Sequence, residues 1–416
     1  MMEQRTDASQ AAGRLPISRA EFIAFGAALM AVNALAIDVM LPGLQQIGAS
    51  LGVENENHRQ YVISAYVVGM GIATLFFGPL SDRFGRRPPL LAGLLIYIVA
   101  AFAAAASHNF EMLLVLRFIQ GFGAAATRVI IVSVIRDVFG GRQMAEIMSL
   151  VFMVFMMVPV IAPSIGQLIM LGLDWHYIFV MMGVLTLLIF TWTALRLPET
   201  LHEEYRRPLS LPSIMSGFRV VVTTRISILY TMALTIIFGS LFGFINSAQQ
   251  IYQGIYGVGA AFPIYFAAVA GLMAVSSFLN SQLVGRVGMR RLSHGALVGF
   301  VIVNGIAFAV SLAGPVPLWA FTGMFGLAMI LFSWVGANFN PLAMEPLGHV
   351  AGIASSVQSF IQTIFSGIIG ALIGQAFDGT VMPLAAGYFF CSLAGLMLVL
   401  VAEKGKLFRT VNPPSH

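Results

Sequence analysis

Long apolar runs, separated by short polar segments, follow one another along the whole chain. Each is about 18 residues or longer, the length at which an apolar helix crosses a bilayer. Strands of a membrane barrel would instead alternate over about 10 residues. The pattern therefore predicts an all-α integral membrane protein with twelve transmembrane helices, at 21–43, 59–80, 89–107, 111–135, 145–171, 177–195, 227–250, 260–283, 294–313, 316–338, 350–376 and 382–402.

The low charge content excludes a water-soluble domain. Charged residues make up 9% of the 416 residues and hydrophobic residues 58%, whereas about a quarter of a soluble domain is charged. The first apolar run is too long for the core of a signal peptide, so we expect a retained first helix. Cys391 is the only cysteine and the 7 histidines are scattered, so neither a metal site nor a cofactor is expected.

Basic residues concentrate on one side of the predicted membrane. An even number of spans places both termini on the same side, and the opposite loops keep only Arg59. Because Lys and Arg are enriched in cytoplasmic loops, both termini of this multi-pass chain are predicted to be cytoplasmic, in the inner (plasma) membrane. That side holds Arg5, Arg14, Arg19, Arg83, Arg86, Arg87, Arg136, Arg142, Arg196, Arg206, Arg207, Arg219, Arg225, Arg286, Arg290, Arg291, Lys404, Lys406 and Arg409.

An internal repeat relates the two halves of the chain. The segment "LSDRFGRR" (Leu80–Arg87) aligns with "LVGRVGMR" (Leu283–Arg290), and each copy joins the second and third predicted helices of a six-helix half. Identical pairs are Leu80 with Leu283, Arg83 with Arg286, Gly85 with Gly288 and Arg87 with Arg290. A basic turn that only sets the membrane topology is the alternative explanation of this motif.

Two parallel six-helix repeats around a central cavity are the plan of one large class of transporters. The only sizeable polar stretch in the interior lies between the two halves. The predicted organisation is a cytoplasmic tail at 1–20, a six-helix bundle at 21–197, a cytoplasmic linker at 198–225, a second six-helix bundle at 226–402 and a cytoplasmic tail at 403–416.

Five stretches resemble signatures of the major facilitator superfamily. "GPLSDRFGRRP" is similar to its loop signature and "LRFIQGFGAAA" to its fourth-helix signature. "VPVIAPSIGQ" resembles the fifth-helix signature of its proton-coupled drug exporters, and "IDVMLPGL" and "AGIASSVQSF" resemble helices 1 and 11 of the bicyclomycin and chloramphenicol resistance branch. Departures from the family pattern are Gln167, His176 and Gly285.

The resemblance implies a proton-coupled antiporter that exports small amphipathic drugs by alternating access. A transporter of one specific metabolite, by export or proton symport, is the alternative. The expected partners are a small hydrophobic or amphipathic molecule, protons and the lipid bilayer, with no nucleic acid, and the chain is expected to act as a monomer.

Two charged residues are predicted to couple transport to protons. Asp38 lies four residues before Pro42, near the outer end of the first span, and Arg117 lies six residues after Glu111 in the fourth. An ionisable residue at membrane depth is costly and indicates a function. We expect Asp38 and Arg117 to face one cavity, paired directly or through water, so that their separation decides whether Asp38 holds a proton. A fixed pair that only neutralises a buried arginine is the alternative.

One face of the fourth predicted helix is expected to line the transport pathway. Arg117, Gly121, Ala124 and Arg128 follow a helical spacing of i, i+4, i+7 and i+11. Arg128 would contact substrate or protons, or else extend toward the cytoplasmic headgroups. The other substrate-cavity candidates are Asn33, Gln120, Asn246, Trp334, Asn338, Ser355, Gln358 and Gln362, each of which could also hold helices together.

The loop after the second helix is interpreted as a cytoplasmic latch between the halves. Gly85 permits the sharp turn, and Asp82 is positioned to face a helix N-terminus, which the family resemblance suggests is that of helix 11, near 349–355. The latch residues are Gly78, Asp82, Arg83, Gly85, Arg86 and Arg87.

The fifth predicted helix carries Pro159, Pro163 and Gly166 on one face. Each proline removes a helix hydrogen bond, and glycine allows a neighbouring helix to approach closely. The resemblance implies an antiporter motif that seals the bundles against proton leak, and ordinary helix packing is the alternative.

Catalysis is not expected. The spans contain no paired carboxylates, histidine cluster or Ser/His combination of the kind an enzyme requires. A phosphate-binding "GxxxxGK[ST]" loop is also absent from the sequence, so the predicted energy source is a proton gradient.

Overall fold

The computed structural model describes residues 17–139, 141–206 and 211–408. The chain divides into two compact units, Met1–Ser210 and Leu211–His416, and the division falls within the predicted linker. The long helices of the first unit are α1 (Arg19–Asp38), α2 (Tyr61–Phe84), α3 (Arg87–Ala105), α4 (Phe110–Val138), α5 (Gly141–Gly172) and α6 (His176–Arg196).

The second unit has its own six long helices. A shorter helix, Leu211–Thr223, precedes them and places Phe218 and Val221 against the helix Ala351–Gln375, so the predicted linker is partly helical. A single turn of π-helix, Gln250–Ile255, continues the first long helix of this unit. The long helices are α7 (Arg225–Gln249), α8 (Phe262–Val287), α9 (Met289–Ala313), α10 (Leu318–Met344), α11 (Ala351–Gln375) and α12 (Met382–Ala402).

Twelve helices of the described chain are long and apolar enough to cross a membrane, which confirms the predicted all-α class. Large apolar side chains lie exposed on their outer faces, where lipid rather than water is the favourable solvent. Examples are Val99, Leu168, Leu188, Ile264, Phe278 and Trp319.

The first span is longer than the predicted 21–43 and is interrupted. The candidate span runs from Arg19 to Ser50, but α1 ends at Asp38 and a 3-10 turn, Leu41–Gly43, leads into the short helix Leu44–Ser50. Pro42 explains the interruption, because it has no N–H for the Asp38 carbonyl and its ring would clash with that group. Asp38 therefore lies at a helix end inside the span.

Glycines allow α2 and α4 to cross closely. A Cβ atom on Gly69 would collide with the Phe118 carbonyl, and one on Gly121 would collide with the Tyr66 carbonyl. The two helices are thus in backbone contact at two successive levels. This crossing places Arg117 of α4 beside the first turn of α2.

Candidate proton-coupling and substrate site

Arg117 is completely buried and uses its whole guanidinium group within the first unit. Nε donates to the Val62 carbonyl (3.1 Å), one terminal nitrogen donates to Gln120 Oε1 (2.7 Å), and the other donates to the Ala36 carbonyl (2.9 Å). The guanidinium carbon also lies 4.5 Å from the centre of the Tyr66 ring, a cation–π distance. These contacts join α1, α2 and α4 through one side chain.

The bond to Ala36 gives Arg117 a local role at the end of α1. The last four carbonyls of a helix lack intrahelical partners, and Ala36 lies two residues before the end of α1. A cation at this position also interacts favourably with the helix dipole. Arg117 therefore caps the helix end that carries Asp38.

Asp38 is buried, with 5% of its surface exposed. Among the described residues its carboxylate makes no hydrogen bond or ion pair, so the direct pair with Arg117 is absent from this structure. Arg117 instead bonds to the Ala36 carbonyl, one helical half-turn away, and a pair bridged by water, the other predicted arrangement, stays a prediction. The proposed coupling role of the two residues remains a prediction.

Asn33, a substrate-cavity candidate, is engaged in the interior of the first unit. Its amide donates to Thr127 Oγ1 (2.8 Å), and its carbonyl accepts from the Tyr66 hydroxyl (3.3 Å). Gln120, also a candidate, is fully buried and holds Arg117. Both residues therefore support the surroundings of Arg117 instead of presenting a polar group to solvent.

The predicted pathway face of α4 is only partly open. Gly121 packs against the backbone of α2, and Ala124 is fully buried. Arg117 is likewise enclosed, so the expectation that this face lines a pathway fails at these three positions because they are buried against neighbouring helices. Arg128, the fourth residue of this face and one turn beyond Ala124, is exposed.

Most candidates in the second unit also join helices. Trp334 Nε1 donates to the Ser276 carbonyl (2.9 Å), and Asn338 Nδ2 donates to Asn280 Oδ1 (2.7 Å). Gln358 Nε2 donates to Ser227 Oγ (3.0 Å). Asn246 is buried and its Oδ1 lacks a hydrogen-bond partner among the described residues, whereas Gln362 is part-exposed and Ser355 exposed.

The predicted latch loop is held by Arg86, whose side chain is 4% exposed. It donates to Asp82 (2.5 Å) and through Nε to Asp137 at the end of α4 (2.6 Å). Burial alone would lower the pKa of Arg86, but the hydrogen bonds to Asp137 and Asp82 raise that pKa above its usual value. Asp82 thus bonds within its own loop.

Glu199, which follows α6, completes this arrangement. Its carboxylate accepts from the backbone N–H groups of Arg86 (2.7 Å) and Arg87 (3.1 Å). Gly85 ends α2 with a positive φ of 93°, and a Cβ atom there would also collide with Glu199. Arg83 lies over the Phe84 ring. The proposed contact of Asp82 with the start of helix 11 remains a prediction, and the side chains at 348–353 lie outside the described residues.

The second unit repeats this plan with other residues. Gly288 ends α8 with a φ of 88°, and Arg290 bonds to Glu345 after α10 (2.7 Å) and to Glu403 after α12 (3.1 Å). In each unit an arginine at the junction of the second and third helices therefore binds a carboxylate at or just after the end of the fourth helix. A carboxylate beyond the sixth helix also bonds this junction. The sequence analysis did not predict these contacts of Asp137, Glu199, Glu345 and Glu403. The recurrence of acids near the ends of corresponding helices in the two halves could have indicated them.

Asp137→Asn is expected to destabilise the protein more than Asp82→Asn. Asp137 makes two bonds to Arg86 and its side chain is 16% exposed, whereas Asp82 makes one and is 43% exposed. We expect a loss of about 3 kcal/mol for the more buried pair and about 1 kcal/mol or less for the exposed one. The thermal unfolding midpoints of the detergent-purified variants measure this difference, and equal midpoints would contradict it.

The proline and glycine positions of the fifth predicted helix lie within α5. Pro159 and Pro163 are inside the helix, and Gly166 packs against the Val39 carbonyl at the end of α1, with Pro42 also close. This contact places α5 directly beside the residue that follows Asp38. Whether the motif seals the protein against proton leak stays a prediction.

The twelve candidate spans of the described residues define a multi-pass membrane protein. The chain belongs to the Major Facilitator Superfamily, whose family model matches residues 23–371, and it is a transporter rather than an enzyme. The match confirms the family predicted from the sequence motifs.

Similar proteins cover nearly the whole chain. The bicyclomycin resistance protein homolog of Haemophilus influenzae is 30% identical over 84% of this chain and 87% of its own length. The multidrug resistance protein MdtL of Escherichia coli is 29% identical over 92% of this chain and 96% of its own. A solved D-xylose–proton symporter shares the fold, with a TM-score of 0.69 at 14% identity, over 93% of this chain and 98% of that structure.

Proposed function

We propose that this protein is a proton-coupled antiporter that exports small amphipathic drugs across the inner membrane. It acts as a monomer with both termini in the cytoplasm, and it uses the proton gradient with no cofactor. The observation that carries the proposal is Asp38, a buried carboxylate without a bonded partner among the described residues, at a broken helix inside a span. The bicyclomycin and multidrug resistance proteins to which the chain is similar support the substrate class.

The transport cycle follows from the chemistry of Asp38. A carboxyl group without a fixed counter-ion can gain and lose a proton as its solvation changes. Asp38 releases its proton inward, substrate binds, and Asp38 is recharged from outside after the substrate has left. Arg117 remains charged throughout and holds the end of α1, so that a movement of this end changes the surroundings of Asp38.

Asp38→Asn tests this cycle in inverted membrane vesicles energised to be acid inside. Native vesicles should release protons on addition of chloramphenicol, because drug entering the lumen exchanges for protons leaving it. The Asn variant should show at most a tenth of this response at matched abundance, since the amide cannot titrate. Asp38→Glu should keep part of it.

Asp174→Asn serves as the matched control, because Asp174 is an exposed acid outside the helices. A normal response in Asp38→Asn would show that Asp38 is structural and that protons couple elsewhere. If native vesicles respond to no member of a panel of neutral, cationic and anionic drugs, the exporter proposal fails and transport of one specific metabolite becomes the better explanation.

A further inference from the structure

Arg128 lies on the face of α4 opposite the exposed apolar stripe. Met112, Val115 and Ile119 form this stripe, with spacings that place them on one side of the helix. Arg128 follows Ile119 by two and a half turns and Arg117 by about three, so it points away from the stripe and shares the side of Arg117. Its exposure is therefore on the inward side of the first unit, not on the lipid-facing side.

The depth of Arg128 makes its charge costly unless it has a polar partner. By helical rise it lies about 27 Å from Phe110 and about 15 Å from Val138, in a helix longer than the roughly 30 Å hydrocarbon layer. Side chains on a helix lean toward its N-terminus, so Arg128 leans away from the nearer end, Val138. This direction disfavours an extension to the headgroups at that end.

Arg128 has no bonded partner in the described part of the chain. Its guanidinium makes no hydrogen bond or ion pair there, although it is exposed. Arg117 differs, because three acceptors and two aromatic rings occupy it fully. Charged groups in spans pair or face a water-filled space, so Arg128 leaves five N–H donors for a molecule that enters from such a space.

Hydrogen bonds of the residue before Arg128 set the register of α4 against α1. The preceding residue, Thr127, is fully buried and accepts from Asn33 Nδ2 (2.8 Å) while donating to the Ala124 carbonyl (2.9 Å). This register places Arg128 level with the α1 turn that precedes Asn33. Ala28 and Ala31 on that turn are part-exposed and apolar. A cation at the level of small apolar side chains matches an amphipathic anion.

We infer that Arg128 binds the anionic group of the substrate, and that the preferred substrates are amphipathic organic anions. This inference rests on the proposed export function and narrows its substrate class. A carboxylate or sulfonate would accept two parallel bonds from the planar guanidinium, an arrangement that lysine cannot reproduce. The apolar body of the molecule would lie against the small side chains of α1.

A matched pair of probes tests the inference by equilibrium binding to the purified full chain. 8-Anilinonaphthalene-1-sulfonate is an anion, and N-phenyl-1-naphthylamine is its neutral counterpart with the same ring skeleton. Arg128→Gln should raise the Kd of the anion at least tenfold and change that of the neutral probe by less than twofold. Arg128→Lys should give an intermediate Kd for the anion.

Arg136→Gln is the matched control, because Arg136 is an exposed arginine at the end of the same helix. The inference would be overturned if Arg128→Gln raised the Kd of both probes equally, or if it changed the Kd of neither. So would a native chain that binds the neutral probe but not the anion. Proton release from native vesicles in response to the panel of neutral, cationic and anionic drugs is measured in parallel. A response to any drug of the panel supports export whatever the probes show, so failure of the inference and failure of the export proposal are distinguishable.

Discussion

Arg117→Met is expected to abolish transport and to reduce the yield of folded protein. The apolar side chain cannot replace the bonds to Ala36, Val62 and Gln120 Oε1. Each buried acceptor left without a partner costs about 1–3 kcal/mol, and the end of α1 loses its cap. Thermal unfolding in detergent and the chloramphenicol response of inverted vesicles measure the two losses.

Arg117→Lys separates the geometry of the side chain from its charge. Lysine keeps the positive charge, but its single ammonium cannot reach three acceptors spread over α1, α2 and α4 or lie flat on the Tyr66 ring. We expect this variant to remain strongly impaired, whereas the exposed control Arg136→Met should behave like the native protein. Native-like transport by Arg117→Lys would show that charge alone suffices.

Gly166→Ala is expected to disrupt the contact between α5 and the end of α1. A methyl group there would overlap the Val39 carbonyl, which belongs to the backbone and cannot rotate away. Overpacking of this kind typically costs about 1–3 kcal/mol. The displaced α5 would also change the surroundings of Asp38, so we expect transport to fall at least tenfold.

Gly172→Ala in the same helix is the matched control, because its added methyl would meet nothing within 4 Å. Alanine favours a helix interior over glycine by about 1 kcal/mol, so propensity alone predicts stabilisation at Gly166 and little change at Gly172, the last residue of α5. A lower unfolding midpoint of Gly166→Ala would therefore be evidence for the close contact between α5 and the Val39 carbonyl. An unchanged unfolding midpoint and unchanged transport in Gly166→Ala would refute it.

The helices and the family were predictable because their causes are local. A bilayer requires long apolar helices, so apolar run length alone indicated twelve spans, and short motifs identified the superfamily. The repeat likewise predicted corresponding turns, and Gly85 and Gly288 adopt similar positive φ angles. The break in the first span could also have been predicted, since Pro42 removes the bond that Asp38 would accept.

The partners of the charged residues depended on the tertiary structure. Arg117 binds two backbone carbonyls and a glutamine instead of Asp38, and backbone acceptors have no sequence signature. Arg86 binds Asp137, 51 positions away. The sequence by itself determined which segments cross the membrane, because that choice depends on the hydrophobicity of each segment. Only the packing of the helices decided which charges meet, because that depends on crossings such as the glycine contacts of α2 and α4.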